Sequence, residues 1–229
     1  MIKVYDLAGA RDDHRFSPHC WRVRMALAHK GLPHETVPWR FTEKQAVAFS
    51  GQEKVPVLVD ADTVVCDSWA IATYLEDAYP EHPLFGCEAA RGEALFVKHW
   101  TERVLQARLV PVLLLDIWQG LHEKDKEYFR RTREQRVGTT LEAFCADRER
   151  HLAAFREALA PLRETLRAQP YVSGEAPAFA DYLPFGAFQW ARCTSKATLL
   201  GPDDDPVHAW CRRMLGLFDG LAAKAPGPG

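Results

Sequence analysis

The sequence predicts an α+β chain of two domains, a mixed unit of strands and helices followed by an all-α helical bundle. Three observations predict it. Up to about residue 80, short apolar runs of strand composition alternate with helical periodicity. The segment Pro80-Glu81-His82-Pro83-Leu84-Phe85-Gly86 then interrupts both patterns with two prolines and a glycine. Beyond it the periodicity is helical throughout. Residues 1–80 are therefore read as the first domain, 81–87 as a linker and 88–229 as the helical domain.

Ile2 to Leu7 reads as a strand. A helix follows from Pro18 to Lys30: Ser17 is a good N-cap, Pro18 fits the first helical position because its φ is already helical and its missing N–H is not needed there, and Gly31 closes the helix. Glu35 to Val37 is a second strand. Val55 to Val59 and Val64 to Cys66 form a hairpin turned at Asp60-Ala61-Asp62, and Ser68 to Tyr79 is a helix stopped by Pro80. Pro56 cannot donate to a ladder, so it belongs at the first residue of its strand or in a cis turn. Past the linker, helices are expected through Trp100 to Leu115, in one long run from Gln135 to Arg167, from Phe179 to about Cys193, and around Val207 to Phe218. The Ala-Pro-Gly-Pro-Gly tail reads as disordered.

Composition narrows the function classes. With 47% hydrophobic residues the chain can bury a sizeable core, and a net charge of −2 gives no electrostatic footprint for nucleic acid or an anionic membrane. Any partner should be small. Residues 1–7 read as a strand rather than a signal sequence, and no apolar run is long enough to span a bilayer, so a cytoplasmic protein is expected. Six cysteines lie scattered without metal-type spacing, which in a reducing compartment predicts free thiols, with neither a disulfide nor zinc.

Three short pieces carry the chemistry: Phe16-Ser17-Pro18-His19-Cys20-Trp21, Lys54-Val55-Pro56-Val57-Leu58 and Cys66-Asp67-Ser68-Trp69. Ser17 and Asp67-Ser68 each open a helix, where unpaired N–H groups and the positive end of the dipole favour anions. On residues alone, all three pieces are also ordinary caps or an edge-strand proline. In this order they resemble the glutathione-binding half of the glutathione transferases, a thioredoxin-like βαββα domain, and Pro177-Ala178-Phe179-Ala180-Asp181-Tyr182 resembles the helix-start motif of that family's all-helical second domain. Within the superfamily the chain looks closest to the bacterial glutathione-dependent β-etherases and their fungal relatives. Tyr5-Asp6-Leu7, Trp21-Arg22, Ala26-Leu27-Ala28-His29-Lys30-Gly31 and Phe218-Asp219-Gly220-Leu221 suggest this subgroup, alongside the three pieces.

The resemblance implies a homodimer that uses glutathione as co-substrate and no metal. Ser17 would donate to the glutathione sulfur. Val55, beside a cis Pro56, would pair through its backbone with the cysteinyl part. Asp67 and Ser68 would take the γ-glutamyl end, while Lys54, with Arg40 or Lys44, would face the glycyl carboxylate. A small hydrophobic aromatic electrophile, with β-aryl ethers as the leading class, would meet the loop of His14 and Phe16 and the helix carrying Trp100, Arg103 and Trp118. Two other readings remain open: a non-catalytic carrier of aromatic ligands, and a glutathione-dependent reductase or isomerase of small acids. Other features read more plainly. Cys20 is a buried helix residue, Tyr5 lies mid-strand, Trp100 and Trp118 also suit a core, and the arginines at 130, 131, 133 and 136 form a solvated helix face. Ala178 removes half of a capping box, leaving Asp181 to bond back alone.

Overall fold

In a computed structural model, residues 1–201 and 206–228 are described. The chain opens with β1 (Ile2–Leu7), in which Ile2 and Val4 are buried while Lys3 is exposed, the alternation expected of a strand with one buried face. Helix α1 (Pro18–His29) crosses to β2 (His34–Trp39), which pairs parallel to β1 with Val4 opposite Thr36. A 3₁₀ helix, Lys44–Ser50, absent from the sequence reading, buries only Val47 and ends at Gly51. β3 (Val57–Asp60) and β4 (Thr63–Cys66) form the hairpin, and β3 runs antiparallel to β1. The sheet order is β2-β1-β3-β4. The turn lies where the sequence put it, with Ala61 at φ +50°. Helix α2 (Ser68–Ala78) closes the unit and packs with α1.

The second domain is helical. A continuous rod comprises α3 (Glu88–Trp100), a π-helical segment Thr101–Gln106, and α4 (Ala107–Gly120). The single run expected from Gln135 to Arg167 is instead broken three times. Helix α5 (Glu123–Val137) stops at Gly138, whose φ of +76° is left-handed; Thr140 then caps the short α6 (Leu141–Phe144). Asp147 caps α7 (Arg148–Ala158), and Pro161 starts α8 (Ala160–Ala168). Each break has its own stop or start chemistry, which the persistent apolar spacing concealed.

Helix α9 (Phe179–Thr194) runs through the core, and α10 (Pro206–Gly220) leaves helical geometry at Leu217, Phe218 and Asp219. Asp181 compensates for the missing capping hydroxyl: its buried carboxylate accepts from the N–H groups of Val172 (2.8 Å), Ser173 (3.1 Å) and Ala178 (3.2 Å) and from Trp210 Nε1 (2.9 Å). Gly186 lets α9 press directly on α1, since a Cβ there would sit 2.4 Å from the Pro18 carbonyl oxygen. Of the tail expected to be disordered, its first residue Ala225 is held: Arg192 donates to the Ala225 carbonyl and, just before the tail, to those of Ala222 and Ala223. None of the six cysteines forms a disulfide. Among the described residues, no helix is long and apolar enough to cross a membrane.

Candidate functional site

The first turn of α1, the start of β3 and the π-helical segment meet around a cavity of about 640 Å³. Phe16, Ser17, Pro18 and His19 line it from α1, Lys54 and Val55 from the chain entering β3, and Glu102 and Gln106 from the π segment. The Val55–Pro56 peptide is cis, as read from the sequence. Val55 itself lies ahead of the ladder, which begins at Val57. Single π-helical turns often occur at functional sites, and this one supplies two lining residues.

Ser17 is 5% exposed, and its Oγ accepts from the Cys20 N–H at 3.3 Å. That cap occupies one lone pair, and the same hydroxyl also meets the Cys20 side chain. Cys20 beside it is inert: burial pushes its thiol well above the ordinary range, with Asp6 adding to the rise. Asp67 caps α2 through Oδ1, accepting from Trp69 N–H at 2.8 Å and Ala70 N–H at 3.2 Å. Ser68 differs. It is 1% exposed, yet its Oγ has no hydrogen-bond partner. Neither Asp67 nor Ser68 lines the cavity wall, and the Asp67 charge is felt at His19, which does line it, and at Arg22.

His19, Arg22 and Glu102 tie the two domains together. The buried Arg22 donates to Glu102 Oε1 at 2.7 Å and lies 3.1 Å from His19 Nδ1; Lys98 donates to Glu102 Oε2 at 3.1 Å. Because guanidinium only donates, Nδ1 is an acceptor and the His19 proton sits on Nε2. Burial, then the Arg22 charge, hold the imidazole below its ordinary pKa, in keeping with a neutral ring. Glu102 is held below the usual carboxylate range; burial opposes this, but Arg22 and Lys98 outweigh it.

The remaining wall is largely aromatic. Trp39, Phe41, Tyr128, Phe129, Phe144 and Trp190 line it, together with Arg133 and Arg136. Sequence reasoning missed this wall because it is assembled from four separate elements. The expectation of a solvated arginine face holds for the exposed Arg131 but is overturned at Arg133, which stacks on Phe41 and Phe129.

Other expected residues lie elsewhere. Arg40 secures the loop after β1, donating to the Gly9 carbonyl at 3.0 Å and to Asp12 Oδ1 at 2.6 Å. Lys44 pairs with Glu53 at 2.6 Å. His14 lines a second cavity of about 500 Å³, which shares Phe16 with the first. Its Nε2 donates to the Cys193 carbonyl at 2.6 Å. Trp100 and the exposed Arg103 are not brought to either cavity wall, and Trp118 is covered by Arg130 and Lys126.

Comparison with known proteins agrees with the fold. A model described as the glutathione S-transferase N-terminal domain matches residues 16–78, and one described as the glutathione S-transferase C-terminal domain matches residues 93–214. The second alone spans more than half of the sequence, and the chain belongs to the glutathione S-transferase family. A zeta-class glutathione S-transferase of Euphorbia esula is 30% identical over 109 residues, 45% of this chain and 47% of that relative. Glutathione S-transferase Z2 of Arabidopsis thaliana is 43% identical over 68 residues, 28% of this chain and 30% of that relative. The chain thus matches less than half the length of these curated relatives. A solved glutathione S-transferase of Ceriporiopsis subvermispora, in complex with glutathione, shares the fold at TM-score 0.82 and 24% identity, covering 95% of this chain and 96% of that one. Glutathione transferase GSTFuA3 from Phanerochaete chrysosporium is similar at TM-score 0.76 and 26% identity, covering 97% and 93%.

Proposed function

We propose that this chain binds reduced glutathione at the junction of α1, α2 and β3, and that Ser17 activates its thiol for attack on a hydrophobic aromatic electrophile. One observation carries the reading: a helix-capping hydroxyl, Val55 ahead of its strand and an aromatic wall share a single cavity. A thiol of pKa about 8.5 is mostly protonated at neutral pH. A hydroxyl donating to the sulfur at a helix N-terminus favours the thiolate through both the hydrogen bond and the dipole.

The rest of the tripeptide finds suitable chemistry nearby. Val55, outside the ladder, offers its backbone to an extended ligand. The unpartnered Ser68 Oγ suits the γ-glutamyl carboxylate, and Asp67 suits the ammonium. Lys54 lines the cavity while Arg40 and Lys44 are engaged with acids, so Lys54 is our choice for the glycyl carboxylate. The reaction favoured is cleavage of a β-aryl ether or related ketone. The thiolate forms a C–S bond at the carbon bearing the aryloxy group, and the C–O bonding pair leaves with the aryloxide. We read the protein as a cytoplasmic homodimer divided at residues 80 and 88. Phe96, 74% exposed, and Leu95, 39% exposed, support a partner on α3.

The test is retention on immobilised glutathione together with turnover of 1-chloro-2,4-dinitrobenzene, a neutral aryl halide. Both are expected. Retention without turnover favours the carrier of aromatic ligands, and absence of both removes the glutathione reading.

A further inference from the structure

The wall contributed by α5 says what kind of electrophile the cavity suits, an inference that rests on the reading above. The Arg133 guanidinium lies 4.5 Å from the Phe129 ring centroid and 5.0 Å from that of Phe41. Its hydrogen bond goes to the neighbouring Thr132 hydroxyl at 2.9 Å, and no carboxylate lies within ion-pair distance of it among the described residues. Other arginines also lack an acid among the described residues, but Arg156 and Arg192 donate to backbone carbonyls in its place, and several others are paired. Arg22 has Glu102, Arg40 has Asp12, Arg130 has Glu134 and Glu142, and Arg148 has Asp116.

Arg136 lines the same cavity and also lacks an acid partner among the described residues, and its charge is felt at Arg133. Burial pushes the Arg133 guanidinium below its ordinary range; Tyr128 opposes this, and the Arg136 charge adds a smaller push in the same direction as burial. Two guanidinium groups of like charge, one partly desolvated, are better accommodated with an anion between them. The planar fork of arginine matches a carboxylate in two-point contact, and the flanking rings offer faces for an aryl group.

We propose that the electrophile is an aryl carboxylate, with Arg133 and Arg136 binding its carboxylate and Phe41 and Phe129 flanking its ring. Lys54 is left for the glycyl end of glutathione, so the two carboxylates of the reaction complex have separate partners. A neutral aromatic electrophile would leave both arginines without an anion.

The experiment uses 4-chloro-3-nitrobenzoate and its primary amide, which differ in charge but little in shape. Their binding to the full-length protein is followed by calorimetry without glutathione, and glutathione binding is titrated separately. The wild type should bind the benzoate at least about tenfold more tightly than the amide, the scale of one charge-assisted hydrogen bond. Arg133→Gln and the solvent-accessible Arg136→Gln should each reduce that preference, and Arg133→Lys should keep part of it. Glutathione affinity should stay within about twofold in all three. Equal affinity for benzoate and amide, or no binding of either, overturns the proposal. So does a preference that survives both Gln substitutions. If the variants lose glutathione affinity instead, the arginines serve the glycyl carboxylate and the proposal also falls. A wild type that prefers the benzoate but ignores glutathione would leave this inference standing and sink the glutathione reading.

Discussion

Gly186→Ala tests how the second domain holds α1, the helix that Ser17 caps, in register. Helix propensity alone favours alanine by about 1 kcal/mol. Geometry opposes it. The added Cβ would sit 2.4 Å from the Pro18 carbonyl oxygen and 3.3 Å from Arg22 Cγ, whereas ordinary contact begins near 3.4 Å. The first obstacle is backbone, so α1 and α9 must separate by about 1 Å, and overpacking of this kind costs about 1–3 kcal/mol or more. We expect a net loss of about 2 kcal/mol, which for a chain of this size lowers Tm by about 4–8 °C. The displaced carbonyl belongs to the turn that Ser17 caps, and a shift of about 1 Å in a reacting group can lower turnover by about 100-fold. Thermal denaturation and turnover of 1-chloro-2,4-dinitrobenzene at saturating glutathione read the two effects. Gly92→Ala is the control: the position is exposed in α3, and its Cβ would meet nothing within 4 Å, so it should be stabilised. If Gly186→Ala behaves like Gly92→Ala, the proposed contact does not constrain the site.

Three further expectations follow from the same geometry. Ser68→Ala removes a buried hydroxyl that has no partner, so stability should hold or rise slightly in a urea titration while the KM for glutathione rises about tenfold or more; a destabilised protein with unchanged KM would make Ser68 structural. Cys20→Ser should leave turnover nearly unchanged, because burial keeps that thiol protonated; loss of activity there with Ser17→Ala fully active would point to thiol exchange. Glu102→Ala leaves the wholly buried Arg22 without its acid and should destabilise by about 3 kcal/mol. Since the Glu102 carboxyl is held below its unfolded value, the pair's contribution is full above the ordinary carboxylate pKa and lost as pH falls through the lower folded value. The wild type should therefore lose its advantage over Glu102→Ala on acidification, and a difference that stays constant from pH 7 to pH 3 would contradict the assignment.

What the sequence reveals about the site is local chemistry. Ser17-Pro18, Pro56 and Asp67-Ser68 carry their cap and turn preferences in adjacent residues, and the fold preserves those preferences. The hairpin and Gly31 are legible for the same reason. What depends on distant contacts is not. Arg133 reads as one of several solvated arginines until the chain brings Phe41, more than ninety residues earlier, against it. Arg40 and Lys44 look available in a polar segment, and only the folded chain gives them Asp12 and Glu53. Helical spacing continues through Gly138 and Asp147, so periodicity merges helices that local caps divide.

The central claim is that Ser17 lowers the pKa of the glutathione thiol, and the direct measurement is a spectroscopic titration of the bound thiolate in the wild type and in Ser17→Ala. Glutathione bound to the wild type should titrate at least about one unit below its free value of about 8.5, and Ser17→Ala should return it toward that value while binding is largely kept. Identical titrations in the two proteins, with glutathione bound in both, would contradict the account.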